Sequence, residues 1–256
     1  YSTSPDTIRL IGQMCLDLGA SQIIVGDRSF FGDRNTAGNL TRNGIAQAAT
    51  DIGATLLVFD TASVNWESFT QTDYPFWAGG FRLPEPVVLA DHIINLPCMK
   101  THFIANVTLT LKLVLGLVNP DDRARSGNLL VHDPSRLYHQ IAQANVPFTT
   151  SLNILDGHRA LVTGGPTPFD GAGPTIVDPG LVIASTDRIA TDVTAIAVLK
   201  TLSPATEVVT RYTVWNNPTI GQAVNYGVGI PNSTMYDLSG PTVANLADYR
   251  NLVLAG

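Results

Sequence analysis

The sequence predicts an α/β fold, Rossmann-like, with a mostly parallel sheet and helices on both faces. Three observations predict it. Segments with apolar residues at helical spacing alternate with short apolar runs, the order that joins parallel strands through crossover helices. Polar and ionisable residues follow the short runs, where open α/β sheets carry their ligand sites. Finally, 256 residues that are 45% hydrophobic and 14% charged suffice for a filled core and exclude a disordered chain. The organisation expected is a single α/β domain or two interleaved lobes over residues 1–256.

In chain order, Ser4 as N-cap and Pro5 at the first helical position open a helix whose Ile8, Ile11, Cys15 and Leu18 share a face, and Gly19 stops it. So abrupt a start suggests that a strand, or a targeting segment, precedes Tyr1. Gln22 to Val25 reads as a strand leading into a turn-rich loop. Thr41 caps a helix reaching Ile52, Gly53 ends it, and Thr55 to Phe59 is a buried strand closed by Asp60. From Thr61 to Pro86 the pattern weakens into an aromatic excursion with a hairpin around Phe81 to Val88. The segment from Asp91 to Val118 begins as an apolar strand, passes through Lys100-Thr101-His102, and continues as an apolar run containing Lys112. After a polar loop to Val131, Asp133 caps a helix from Pro134 to Ala144. Ser151 to Leu155 is the next strand, ending in Asp156-Gly157-His158, and a long Gly/Pro-rich loop runs to Gly180. Leu181 to Ala184 is a strand, and Thr186 or Asp187 caps a helix through Leu199. Two further helices cover Pro218 to Tyr226 and Thr242 to Leu252.

The net charge of −6, with no dense basic cluster, argues against nucleic acid as a partner. The longest apolar run, Phe103 to Val118, is short and carries Lys112, so no membrane span is expected. Two cysteines, Cys15 and Cys98, cannot build an iron–sulfur cluster and are read as free thiols or a single disulfide. These features leave the compartment open between the cytoplasm and export.

The rim at the strand ends collects Asp27, Arg28, Asp60, Lys100, Thr101, His102, Asp156, His158 and the segment Ser185 to Asp187. The chain has three lysines, at 100, 112 and 200, and two of them flank His102. Lys100 and His102 lie two apart, so an extended chain turns both to one face. A cation beside a titratable imidazole suits a carboxylate or phosphate and the movement of a proton. Lys112, inside an apolar run, must be paired or have its pKa lowered, unless it snorkels to the surface. The reading assigns catalytic roles to His102, Lys112 and Asp156, and ligand binding to Lys100, Thr101, His132 and His158. The Gly164-Gly165-Pro166 and Gly171-Ala172-Gly173-Pro174 turns could present backbone N–H groups to an anion. Asp187 and Asp192 supply an N-cap and a polar contact on the helix they open.

The string INLPCMKTHFIANVTLTLKLVLGLV, then His132-Asp133-Pro134, ILDGHRALVTGGP and VIASTDRIATDVTAIA, resembles the domain of unknown function 362 family. Members carry a Lys-x-His, a Thr-Leu-x-Leu-Lys segment, an Asp-Gly after a strand, a Gly-Pro turn and a closing Ala-x-x-Asp-x-x-Ala-x-Asp pattern. The resemblance covers Ser4 to Leu199 and implies a strand and loop before Tyr1. It also implies redox work in relatives that carry ferredoxin-like cysteine motifs, from which this sequence departs. A looser similarity to the nickel-pincer lactate racemase group implies His102 and Lys112 at a cofactor, with His132 as a third residue. The function expected is therefore that of an α/β enzyme or former enzyme binding a small anionic ligand, with or without a metal, at the carboxyl ends of its strands. The alternative is a noncatalytic assembly protein, homo-oligomeric, in which the aromatic segment Trp66 to Phe81 packs against a partner.

Overall fold

The computed structural model describes residues 2–29, 35–59, 64–125, 133–163, 165, 175–202, 207–240, 243 and 245–255. Asp60, His132, Gly164, Pro166 and the Gly171 to Pro174 turn lie outside them. In chain order the elements are α1 (Pro5–Asp17), β1 (Ile24–Asp27), α2 (Thr36–Arg42), α3 (Ile45–Asp51), β2 (Thr55–Val58), β3 (Trp66–Phe69), β4 (Phe81–Pro84) and α4 (Glu85–Val88). Then follow β5 (Ile94–Asn95), β6 (Cys98–His102), β7 (Asn106–Thr108), α5 (Thr110–Leu113), α6 (Pro120–Arg125), α7 (Pro134–Ala144), β8 (Leu152–Thr163), β9 (Thr175–Val177) and β10 (Leu181–Ser185). The chain closes with α8 (Arg188–Leu202), α9 (Glu207–Thr210), α10 (Pro218–Asn225) and α11 (Leu246–Leu254). These form two compact units, one of residues 2–90 and 115–129, the other chiefly of 91–114 and 130–256.

In the smaller unit, Ser4 caps α1 by accepting the Asp6 N–H, and Pro5 occupies the first turn. The helix expected from a Thr41 cap to Ile52 starts later, at Ile45: Thr41 lies inside α2, which has Asn35 as its N-cap, and Gly44 at φ 84° separates α2 from α3. β1 and β2 pair in parallel, Ile24 opposite Thr55, which makes β1–α2–α3–β2 a βαβ unit. β3 and β4 form an antiparallel pair whose aromatic residues pack on one another. Phe81 stacks on Phe69 at 5.2 Å and meets Tyr74 and Trp77 at 5.1 Å each. Trp77 and Phe81 are buried, so this segment supplies part of the unit's own core, not an exposed aromatic face. The return segment is tied to β4 by a two-pronged ion pair. Arg82 Nε donates to Asp122 Oδ2 at 2.9 Å and Nη2 to Oδ1 at 3.0 Å, and the same Nη2 reaches Asn119 Oδ1 at 3.0 Å.

In the larger unit the six-stranded sheet runs β10-β8-β6-β7, with β5 and β9 also on β8. It is a mixed sheet, and this corrects the mostly parallel, Rossmann-like arrangement expected. β5 and β6 lie parallel to β8, but β9 and β10 are antiparallel to it and β7 is antiparallel to β6. The physical reason lies in the connections. Three residues separate β6 from β7, far too few for the crossover that a parallel neighbour requires, while β9 and β10 pair in turn with the two halves of β8 and both run against it. The Gly/Pro-rich stretch also begins inside a strand. β8 continues through Asp156-Gly157-His158 to Thr163, and the register jumps from Cys98 opposite Asp156 to Met99 opposite Ala160. Gly157 is a close-approach glycine here, since a Cβ would stand 2.9 Å from the Leu181 carbonyl oxygen and 2.8 Å from its Cδ1.

The core of this unit centres on α8. Ile189, Val193 and Ile196 on one side and Ala195, Val198 and Leu199 on others are all buried, the pattern of a helix covered all round. It packs against β8, β10, α5, α10 and α11. Asp187 is its N-cap, accepting the Ala190 N–H at 2.8 Å. β10 buries Ile183 and exposes Val182 and Ala184, so this edge strand is covered on one face. Cys15 and Cys98 are free thiols. Among the described residues no helix is long and apolar enough to cross a membrane.

Candidate functional site

β6 ends in Lys100-Thr101-His102, and strand alternation puts Lys100 and His102 on one face and Thr101 on the other. Thr101 is buried and its hydroxyl donates to the Leu161 carbonyl of β8 at 3.2 Å. Its own carbonyl lies against Gly165, where a Cβ would come within 2.0 Å of the oxygen, while the Gly165 carbonyl accepts the Phe103 N–H at 3.1 Å. The glycine of this turn is thus required by the approach of two backbones. Gly165→Ala is expected to push the end of β6 off β8 and cost about 1–3 kcal/mol, read as a lower denaturation midpoint. A midpoint equal to that of the parent would sink this account.

His102 is 1% exposed and builds the β6–β7 turn. Its Nδ1 accepts the backbone N–H groups of Ile104 and Ala105, both at 3.1 Å. A ring nitrogen that accepts two such bonds carries no proton, so the neutral imidazole is protonated at Nε2, and Nε2 is a donor. The ring lies parallel to Phe103, with centroids 5.2 Å apart. Tyr138 braces the turn by donating to the Ile104 carbonyl at 3.0 Å, and Asn106, opposite His102, takes φ 64° to close it.

Lys112 is half-buried on α5, a four-residue helix held at both ends by side chains from elsewhere. Its N-cap residue, Leu109, has no capping side chain, and Asp192 of α8 takes that role. Asp192 Oδ1 accepts the Thr110 N–H at 2.8 Å and Oδ2 the Leu111 N–H at 3.0 Å. On the other side the Leu111 carbonyl accepts from Asn145 Nδ2 at 2.8 Å, and the same amide reaches the Ile141 carbonyl at 2.8 Å. Arg188 holds Asn145 in turn. Its Nη1 donates to the Asn145 carbonyl and Oδ1, both at 2.9 Å, its Nη2 donates to the Phe148 carbonyl at 3.0 Å, and the guanidinium lies 5.1 Å above the Phe148 ring.

Burial pushes the Asp192 carboxyl up to about 7, against the pull of the N–H bonds from Leu111 and Thr110, and the Asp187 charge adds to the rise. Burial likewise brings Arg188 down to about 10, opposed by the charges of Asp187 and Asp192. Sequence reasoning missed Asn145 and Arg188 altogether. It placed Asp192 as a polar contact on its own helix, and the one signal present was the spacing of Asp187 and Asp192 in the closing pattern.

The remaining predicted residues are spread more widely. Asp156 is buried, accepts the His158 N–H at 3.1 Å and stands opposite Cys98. That register puts it four positions from His102, about 13 Å along the strand. His158 is exposed. In the smaller unit, Asp27 accepts the Arg28 N–H at 2.6 Å at the end of β1. Arg28 and Arg123 are both buried, and burial together with the Arg28 charge lowers Arg123 to about 9. Among the described residues no three His, Cys, Asp or Glu side chains converge on a point where they could hold a metal ion.

No solved structure matches the chain. A thylakoid-associated protein of Synechocystis sp. is 26% identical over 209 residues, which cover 80% of this chain and 59% of that protein. The chain therefore spans less than two thirds of that relative's length. Residues 1–197, containing the Lys-x-His strand, the α5 segment and the Asp187–Asp192 pattern, match the family described as domain of unknown function DUF362, and the chain belongs to that family.

Proposed function

We propose that the larger unit is an anion-binding module that takes a small carboxylate or phosphate on the Lys100 and His102 face of β6. The observation that carries this reading is the placement of Lys100 and His102 two residues apart on one face of β6, an ammonium beside an imidazole whose ring is fixed by the Ile104 and Ala105 N–H groups. By strand rise the two residues lie about 7 Å apart, the span of one small carboxylate or phosphate with its hydrogen bonds. Lys112 adds a second half-buried cation from α5 and orients the ligand. Thr101, whose hydroxyl is engaged with Leu161, and Asp156, which accepts the His158 N–H within β8, serve the scaffold in this reading. It assigns binding and leaves any reaction to the ligand's chemistry.

The test is calorimetric titration with inorganic phosphate and with acetate. Lys100→Gln and His102→Asn should each weaken binding about tenfold or more, the value of a charge-assisted hydrogen bond. Asparagine is chosen because its Oδ1 still accepts from Ile104 and Ala105, so the turn survives while the ring donor is lost. Retained affinity in a folded double variant, or no uptake of either anion by the parent chain, removes the reading.

A further inference from the structure

Beyond the family-matched residues 1–197, the C-terminal part of the larger unit carries an open cleft of about 430 Å³. That volume lies within the roughly 300–1,000 Å³ of small-molecule sites. We infer that it is a binding site for a neutral polyhydroxylated ligand of saccharide type. Its chemistry selects the class. Asn216, Gln222, Asn225 and Asn232 line it with amides, Ser233 adds a hydroxyl, Trp215 supplies an aromatic surface, and no lining residue is charged. Asn225 Nδ2 donates to Gln222 Oε1 at 3.4 Å and Asn232 Oδ1 accepts the Thr234 N–H, so the amides present chiefly N–H donors, with the Ser233 hydroxyl as both donor and acceptor, toward a ligand's hydroxyl groups. An ionic ligand would surrender its hydration there without a countercharge.

The cleft is built before any ligand arrives. Trp215 Nε1 donates to the Val253 carbonyl of α11 at 2.8 Å, which satisfies the indole's polar edge and leaves its apolar face for the C–H side of a sugar ring. Asn217 accepts the Thr219 N–H at 3.0 Å and so fixes the start of α10, which carries Gln222 and Asn225. The facing loop is pinned to α8, since Asp187 Oδ2 accepts the Ile230 N–H at 2.9 Å and a Cβ at Gly229 would come within 2.7 Å of that carboxylate. Asn232 Oδ1 accepts the Thr234 N–H at 3.0 Å, which orients its amide and presents the NH₂ as the donor. Walls this constrained lower the ordering cost of binding.

The experiment is saturation-transfer NMR and calorimetry of the full chain with glucose, galactose, mannose, maltose and cellobiose, and with inorganic phosphate as the charged control. Saturable binding of at least one saccharide is expected, weakened about tenfold in Trp215→Ala and in the double variant Gln222→Ala/Asn232→Ala, with Trp215→Phe retaining most of it. Because Trp215→Ala removes a core contact with α11, the double variant, altered at partly exposed amides, decides if that protein does not fold. Failure of every saccharide to bind overturns the inference, as does affinity unchanged in the folded double variant. Phosphate binding abolished by the same double variant overturns the assignment of a neutral ligand.

Discussion

Arg188→Ala is expected to destabilise the larger unit by about 3–5 kcal/mol, because it leaves several buried acceptors unsatisfied at about 1–3 kcal/mol each. Its guanidinium is buried and donates three bonds, two to Asn145 and one to the Phe148 carbonyl, so alanine strands three acceptors that water cannot readily reach. The consequence runs further than the lost bonds. Asn145, released from Arg188, no longer has a fixed amide to give the Leu111 carbonyl, and α5 loses the hold on one of its ends. The measurement is the denaturant midpoint together with hydrogen exchange at Leu111 to Val114. A fall in midpoint accompanied by faster exchange in that segment is the expected result. Arg188→Lys should recover less than half of the loss, because a single ammonium cannot span acceptors on both Asn145 and Phe148. An alanine variant within about 0.5 kcal/mol of the parent, the range of ordinary surface changes, would show that the cluster is not what holds α5.

The features legible in the sequence were those written in local signals. Ser4-Pro5, Asp133-Pro134 and Asp187 each open the helix their residue types announce, because an N-cap is decided by the two or three residues beside it. The common face of Lys100 and His102 was legible too, since alternation along a strand needs no knowledge of the strand's neighbours. Strand direction was not. Gly157 reads as a turn in the sequence, and only the crowding from Leu181 shows that it sits where two strands approach closely inside β8. The start of the helix expected from Thr41 was misread as well, since Thr41 lies in the last turn of α2 and the left-handed Gly44 opens α3.

The α5 clamp was illegible for a related reason. Thr110 and Asp192 are 82 residues apart, and nothing in Thr-Leu-Lys-Leu says that its helix is capped from another helix. The same distance effect altered the meaning of His102. From sequence it was an imidazole free to exchange protons at either nitrogen, whereas the turn that follows it occupies Nδ1 and makes the ring a donor. Lys112 thus sits on a helix whose position is set by groups that the apolar run around it does not reveal.

Between about pH 4 and pH 7 the protein is expected to lose stability as pH rises, through Asp192. The direction follows from its two pKa values. The unfolded carboxyl titrates near 3.8 and the folded one is raised to about 7, so within this window the folded state binds a proton that the unfolded chain has released. The stabilisation is fully present below pH 4 and is lost as pH climbs through 7, a change on the order of a few kcal/mol. Other groups do not mimic it. Asp51, lowered by hydrogen bonds from Gln47 and Arg9, and Asp133, lowered by Ser135, titrate below the window. His139, lowered by burial, gives a slope of opposite sign, with stability rising as pH increases toward 6.5. The difference between the parent and Asp192→Asn cancels these contributions and isolates Asp192. Asparagine cannot titrate, and it keeps an oxygen for one of the Thr110 and Leu111 N–H groups while turning an NH₂ toward the other. The variant should therefore be less stable at pH 4 by about 1–3 kcal/mol, the cost of one unsatisfied buried donor. Its midpoint should follow only the gentler His139 slope, so the gap to the parent closes or reverses by pH 8. Urea midpoints at each pH unit from 4 to 8 decide the matter. A gap that stays constant across the series would mean that Asp192 holds α5 as a permanent carboxylate, its two N–H bonds outweighing the burial that favours the acid.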